Sequence, residues 1–120
     1  MAVSLHLPFP PSANTYYRRG PKSTYLSKSG IAYKAAVSDA VAMSGYKLDG
    51  RIDLFVALSS PTKRKYDLDN RIKPLQDAMQ DAGLYADDEQ IDRITVVRHP
   101  PTKGGYAKVV MVGIGEGGRC

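Results

Sequence analysis

The chain has 120 residues, 42% hydrophobic and 24% charged, which suits one soluble globular domain with a single core and little spare surface. No apolar run approaches the roughly 18 residues of a membrane span, and the N-terminus lacks the basic and apolar regions of an export signal. The one cysteine, Cys120, has no internal partner and the two histidines lie far apart, so a disulfide and a zinc site are both excluded and a reducing, cytoplasmic setting is expected. A net charge of +5 with a pI near 9.4 favours a polyanionic partner, nucleic acid ahead of an anionic membrane.

Ala2 to Leu7 alternates, with Val3, Leu5 and Leu7 on one side, and reads as a half-buried strand that the prolines from Pro8 to Pro11 end. Ala13 to Gly20 reads as a polar, aromatic and cationic loop. It is either a solvated connection with its tyrosines at the core edge, or a phosphate contact through Arg18 and Arg19 with Tyr16 or Tyr17 stacking on a base. Ser29 to Ser44 is Ala-rich, carries Ile31, Ala35 and Val41 at helical spacing, and stops at Gly45. An amphipathic helix is expected there.

Arg51 to Leu58 alternates again, Ile52, Leu54, Val56 and Leu58 facing one way, so a second strand is expected. A loop with the basic run Lys63-Arg64-Lys65 leads to a second helix. Pro74 would break a helix interior, so that helix should start around Asn70 to Ile72, bury Leu68, Ile72, Leu75, Met79 and Ala82, and end at Gly83. Ile91 to His99 and Tyr106 to Ile114 read as strands joined through Pro100 to Gly105 into a long hairpin, followed by a frayed tail from Gly115. The order β-α-β-α-β-β implies an α/β (α+β) fold in two layers, a mixed sheet with two helices on one face, in a single domain over residues 1–120.

Charge is distributed unevenly along this frame. Residues 67–92 hold eight carboxylates against two cations, a net of −6, which leaves +11 on the rest of the chain. A carboxylate island in a basic protein suits a metal-dependent enzyme that acts on a polyanion. Its centre is Tyr66-Asp67-Leu68-Asp69-Asn70-Arg71-Ile72-Lys73. If Asp67 and Asp69 lie in an extended segment, their side chains share one side, and a divalent cation would relieve their repulsion. Mg²⁺ prefers such hard oxygen ligands, and Asp88, or Asp87, could complete the set from the loop before the third long strand. Lys73 is either an i,i+4 partner of Asp69 or Asp77, or a cation that steadies charge on a scissile phosphate.

Other matches fail. Asp67-Leu68-Asp69-Asn70 opens like an EF-hand loop, but Arg71 and Ile72 occupy positions that need a ligand and a glycine. Gly113 to Gly118 satisfies GxGxxG with no helix after it to receive a pyrophosphate, so no nucleotide cofactor is expected. His6 and His99 read as ordinary strand residues.

Four separated stretches point further: Pro10-Pro11-Ser12-Ala13-Asn14-Thr15-Tyr16-Tyr17-Arg18, Asp67-Leu68-Asp69-Asn70 with Lys73, Asp87-Asp88, and Pro101-Thr102-Lys103-Gly104-Gly105. In order and spacing the chain resembles the RusA family of Holliday junction resolvases. The resemblance implies a small homodimeric endonuclease of phage or prophage origin that nicks four-way DNA junctions symmetrically, with Mg²⁺ as cofactor and Mn²⁺ as a substitute. It also implies catalytic, metal-binding carboxylates at Asp67, Asp69 and Asp88 and a catalytic lysine at Lys73. Arg18, Arg19, Lys63, Arg64, Lys65 and Asn70 form the expected DNA-binding set, although Lys63-Arg64-Lys65-Tyr66 stands where a longer arginine run is expected. Two rivals remain at this stage, a nuclease for flaps or forks and a non-catalytic DNA-binding module whose acidic island is merely a solvated face.

Overall fold

The computed structural model describes residues 2–114, so the expected tail with Cys120 and most of the GxGxxG run lies outside the described residues. The elements in chain order are β1 (Ala2–Leu7), α1 (Ala13–Tyr16), β2 (Tyr17–Arg19), β3 (Thr24–Leu26), α2 (Lys28–Ser44), β4 (Arg51–Ser59), α3 (Asp69–Asp81), a 3-10 turn (Asp88–Gln90), β5 (Ile91–His99) and β6 (Tyr106–Ile114). The expected mixed sheet with two long helices is present. Between β1 and α2, the stretch expected as an open loop instead forms α1 and the β2–β3 hairpin. Ser12 caps α1 by accepting from the Thr15 amide.

The four-stranded sheet runs in the order β1-β6-β4-β5, with β4 parallel to β5 and antiparallel to β6. The hairpin expected between β5 and β6 is therefore absent, because β4 lies between them. The connecting loop crosses the end of β4 and is pinned there. Ser59 Oγ donates to the Pro100 carbonyl at 2.8 Å, and the Thr102 amide donates to the Ser60 carbonyl at 3.0 Å. Gly105 has φ +65°, and a Cβ there would stand 2.8 Å from the Pro61 ring, so the crossing requires glycine twice over.

One face of the sheet forms the core. Val3, Leu5 and Leu7 of β1, Ile52, Leu54, Val56 and Leu58 of β4, and Ala107, Val109 and Met111 of β6 cluster with residues of α2 and α3. On α3 the stripe is the expected one: Ile72, Leu75 and Met79 are buried, and Leu68 and Ala82 pack against the core at its ends. On α2 the expected stripe holds only at Val41. Gly30, Tyr33, Val37 and Val41 face inward, whereas Ile31 and Ala35 are exposed. The reason is the approach of α1: the Ser27 hydroxyl caps α2 by accepting from the Gly30 amide while donating to the Thr15 carbonyl. That rotates Gly30, the one residue small enough to pass the Tyr16 carbonyl, into the contact. The opposite sheet face carries Phe55, Val112 and Ile114, each more than a third exposed. No helix among the described residues is long and apolar enough to cross a membrane.

Candidate active site

The site begins with how the chain enters α3. Tyr66 is held on several sides: its ring meets Phe9 edge-on at 5.2 Å, the Arg98 guanidinium lies 4.3 Å from its centroid, and Arg71 approaches it at 5.6 Å. Arg98 also donates to the Tyr66 carbonyl, and Arg71 donates to the Pro10 carbonyl at 2.9 Å. These contacts bind the motif to the proline loop on one side and to β5 on the other. Burial lowers the Arg71 pKa, and the charge interaction with the Tyr66 phenol partly opposes the shift.

The expected extended geometry at Asp67 to Asp69 does not occur. Leu68 is already in the right-handed helical region and Asp69 is the first residue of α3, so Pro74 falls inside the helix. On a helix, residues two apart do not face each other, whereas residues four apart do. Asp69 accordingly shares a face with Lys73 rather than with Asp67. Both line an open groove between α3 and β5, with Leu68, Ile72, Gln76, Ile94 and Val96. An acid in the first turn also complements the helix dipole.

Asp88 reaches the site from the 3-10 turn, which packs against α3. Its amide donates to Gln80 Oε1 at 3.0 Å, and its carboxylate shares the single proton of the buried Tyr85 hydroxyl with the Gln76 carbonyl, each 2.8 Å from the phenol oxygen. Burial, followed by the bond to Asp88, pushes the Tyr85 pKa upward and keeps the phenol protonated as a donor. Asp87 serves differently: it caps the turn, accepting from the Glu89 amide, while Gln90 closes the capping box from the other side.

The eight carboxylates of the acidic island thereby sort into two groups. Arg51 binds Glu89 and Asp92, Lys34 pairs with Asp81, Asp87 is a cap, and Asp77 accepts from both Tyr17 and Lys73. Among the described residues no ion pair engages Asp67, Asp69 or Asp88. No three His, Cys, Asp or Glu side chains among the described residues stand close enough together to share a metal ion. Three carboxylates without a counter-charge repel one another, which favours their separation. Mg²⁺ ordinarily takes only one or two protein carboxylates and fills its shell with water and phosphate oxygens, so the donor set on these two elements suits it.

Lys73 donates to Asp77 at 2.9 Å. That bond raises its pKa, burial opposes the rise, and the negative charges of Asp77 and Asp88 add to it. The ammonium is therefore kept charged beside the acids.

Of the expected DNA-binding residues, Lys63, Arg64 and Lys65 are exposed just before Tyr66, and Arg64 and Lys65 line a cleft with Phe9, Pro61, Tyr66 and Arg71. Arg18 and Arg19 are exposed on β2, away from that loop in sequence but tied to α3 through Tyr17. Asn70 is half-buried in the first turn of α3. Stacking on a base by Tyr16 is ruled out because it is 1% exposed. Tyr17 is engaged with Asp77 and meets the Tyr16 ring edge-on. Tyr25, opposite Arg18 in the hairpin and 56% exposed, is the available aromatic face, and no periodicity in the sequence marked it out. Tyr85 and Gln80 were likewise missed, since a phenol that orients a carboxylate leaves no local pattern.

Fold and site together define a small α+β protein with an acidic centre flanked by cations, the class expected of a nucleic-acid-cleaving enzyme. A family model described as endodeoxyribonuclease RusA matches residues 8–111. A protein of Shigella sonnei named crossover junction endodeoxyribonuclease RusA is 36% identical over 115 residues, covering 94% of this chain and 96% of the relative. The protein of the same name from Escherichia coli K12 matches to the same extent, and one from the phage HK97 is 40% identical over 103 residues, 82% of this chain and 84% of the relative. The chain belongs to the RusA endodeoxyribonuclease family.

Proposed function

We propose that this chain is a crossover junction endodeoxyribonuclease that resolves four-way DNA junctions by paired symmetric nicks, requires a divalent metal, and takes Mg²⁺ with Mn²⁺ as a substitute. Membership of the family supports the activity. The sorting of the carboxylates supports the site: of eight acids, five are occupied structurally, and the three left without a cation or a cap are Asp67, Asp69 and Asp88. Asp69 and Lys73 line one groove and the charge of Asp88 bears on Lys73, a grouping that a merely solvated acidic face does not require.

Asp67, Asp69 and Asp88, apart in the unliganded chain, would be drawn together to hold the metal, whose charge relieves their repulsion and which when bound would polarise the phosphate and lower the pKa of water. Tyr85 and Gln80 fix Asp88 at one carboxylate oxygen and at its amide, which leaves the other oxygen free for a ligand. Lys73 donates to the non-bridging oxygens of the scissile phosphate, where negative charge builds as water attacks in line. The leaving 3′ oxygen takes a proton, giving a 3′-hydroxyl and a 5′-phosphate. Arg18, Arg19, Lys63, Arg64 and Lys65 hold flanking phosphates, and Asn70 contacts DNA next to Asp69. A four-way junction offers two equivalent strands, so one catalytic domain per chain requires a two-fold homodimer to cut both. The enzyme acts in the cytoplasm of a bacterial or phage-infected cell, where that DNA is found.

The test compares a synthetic four-way junction with linear duplex and flap DNA, with and without Mg²⁺, and with Asp69→Asn in parallel. Paired nicks on the junction alone, dependent on Mg²⁺ and lost in Asp69→Asn while junction binding is kept or improved, are expected. Equal cutting of flaps would make it a broader structure-selective nuclease. Binding with no cutting of any substrate would return the carboxylates to surface charge.

A further inference from the structure

Asp77 lies outside the proposed metal set, yet it is the most heavily engaged carboxylate of α3. Its side chain is only 24% exposed, one oxygen accepts from Lys73 Nζ, and the other accepts from the Tyr17 hydroxyl, 60 residues away in sequence. Tyr17 opens β2, whose next two residues are Arg18 and Arg19. We propose that Asp77 is a positioning residue that holds the Lys73 ammonium in the catalytic groove and ties that lysine to the phosphate-binding hairpin through Tyr17.

The chemistry suits this role. An ammonium has three N–H donors on a flexible stem, and one bond to Asp77 fixes its direction while leaving two donors for a phosphate. Asp77 could not hold Lys73 firmly if its own carboxylate rotated, and the second bond, from a phenol anchored edge-on against buried Tyr16, prevents that rotation. A surface i,i+4 pair alone would be too weak to fix the direction of the ammonium. Tyr17 also gives the link direction: whatever phosphate contact draws on Arg18 and Arg19 bears on the strand that anchors Asp77.

The inference rests on the reading of Lys73 as a catalytic cation, and a double-mutant cycle on cleavage separates the two. Single-turnover cleavage of a four-way junction with Mg²⁺ is measured at saturating protein for wild type, Asp77→Asn, Lys73→Ala and the double variant, with the junction Kd measured in EDTA and the melting temperature as controls. Asp77→Asn should slow cleavage roughly 10- to 100-fold, the usual size when a partner that orients a site residue is lost, with Kd within about 3-fold of wild type. In the Lys73→Ala background the same change should have no further effect. Tyr17→Phe, which removes a single hydrogen bond and keeps the ring, should show a smaller loss that likewise disappears in Lys73→Ala, and it serves if Asp77→Asn does not fold. An Asp77→Asn effect of equal size with and without Lys73, or one confined to Kd, would overturn the proposal and leave Asp77 as an anchor for the hairpin. Wild-type cleavage by Asp77→Asn beside a slow Lys73→Ala would overturn it alone, whereas wild-type cleavage by Lys73→Ala would remove the catalytic reading of Lys73 and this inference with it.

Discussion

Asp87 and Asp88 are neighbours with one charge and one side chain, yet the structure gives them opposite duties. Asp87 is a cap whose oxygen is committed to the Glu89 amide, whereas Asp88 is aimed by Tyr85. Asp87→Ala should cost about 1 kcal/mol of stability, typical of a lost cap, and leave cleavage near wild type. Tyr85→Phe should do the reverse. The ring stays packed, but Asp88 loses the donor that orients it, and cleavage should fall roughly 10- to 100-fold. Thermal melting and single-turnover cleavage on the same two preparations check both outcomes. If Asp87→Ala instead abolished cleavage without loss of stability, the assignment would pass to Asp87. The sequence alone could not divide these roles by spacing, because the difference lies in a phenol and a glutamine whose own sequence surroundings look ordinary.

At the scale of elements, α1 and α2 meet where one atom decides the packing. A Cβ on Gly30 would stand 2.6 Å from the Tyr16 carbonyl oxygen. Helix propensity favours alanine over glycine by about 1 kcal/mol, but this clash must push α1 and its hairpin away. Gly30→Ala should therefore lower stability, by more than about 1 kcal/mol net, and thermal denaturation will show the sign. The same region titrates late. Burial, with Asp81 and Asp77 nearby, pushes the Tyr16 pKa up to about 12 from 10.0, while the unfolded chain ionises at the ordinary value. Because the folded pKa is the higher, its contribution is complete below pH 10 and is lost as pH rises from 10 toward 12. The melting temperature should fall through that window, more steeply in wild type than in Tyr16→Phe. What the sequence revealed here follows the strength of its patterns. The stripe of α3 and the strands β1 and β4 alternate clearly, and they folded as read. The stripe of α2 did so only at Val41, because an Ala-rich helix is nearly as apolar on one side as another and the contact is set by α1. The β5–β6 hairpin was misread since adjacent strands joined by a short loop usually pair. Here β4 takes the place between them, pairing with β5 on one edge and with β6 on the other.

Over the whole molecule, the acidic island was legible from composition, but its division into structural and catalytic acids was not. Apart from the local Lys73–Asp77 pair and the Asp87 cap, the partners come from far along the chain: Arg51 reaches Glu89 and Asp92 across 38 and 41 residues, and the Tyr17 hydroxyl reaches Asp77 across 60. No local window contains both partners of such a pair. The cations divide in the same way. Arg51 is consumed by its acids and Arg71 and Arg98 by the Tyr66 stack, while no ion pair among the described residues engages Arg18, Arg19, Lys63, Arg64 or Lys65. Counterion release converts this division into a measurable slope, since each phosphate contact contributes about −0.9 to the dependence of log affinity on log salt. Arg18→Ala and Lys63→Ala should each make the slope for junction binding shallower by about 1 and weaken binding to every DNA sequence alike. Arg51→Ala removes the same charge from a cation that already has partners, so it should leave the slope unchanged and lower stability instead. Binding isotherms for the three variants from 50 to 200 mM salt, a range over which a protein with six to ten phosphate contacts loses roughly 10³ to 10⁵ in affinity, make the comparison. Equal slopes for Arg18→Ala and wild type would place the hairpin outside the DNA path, and with it the far end of the link from Tyr17 through Asp77 to Lys73.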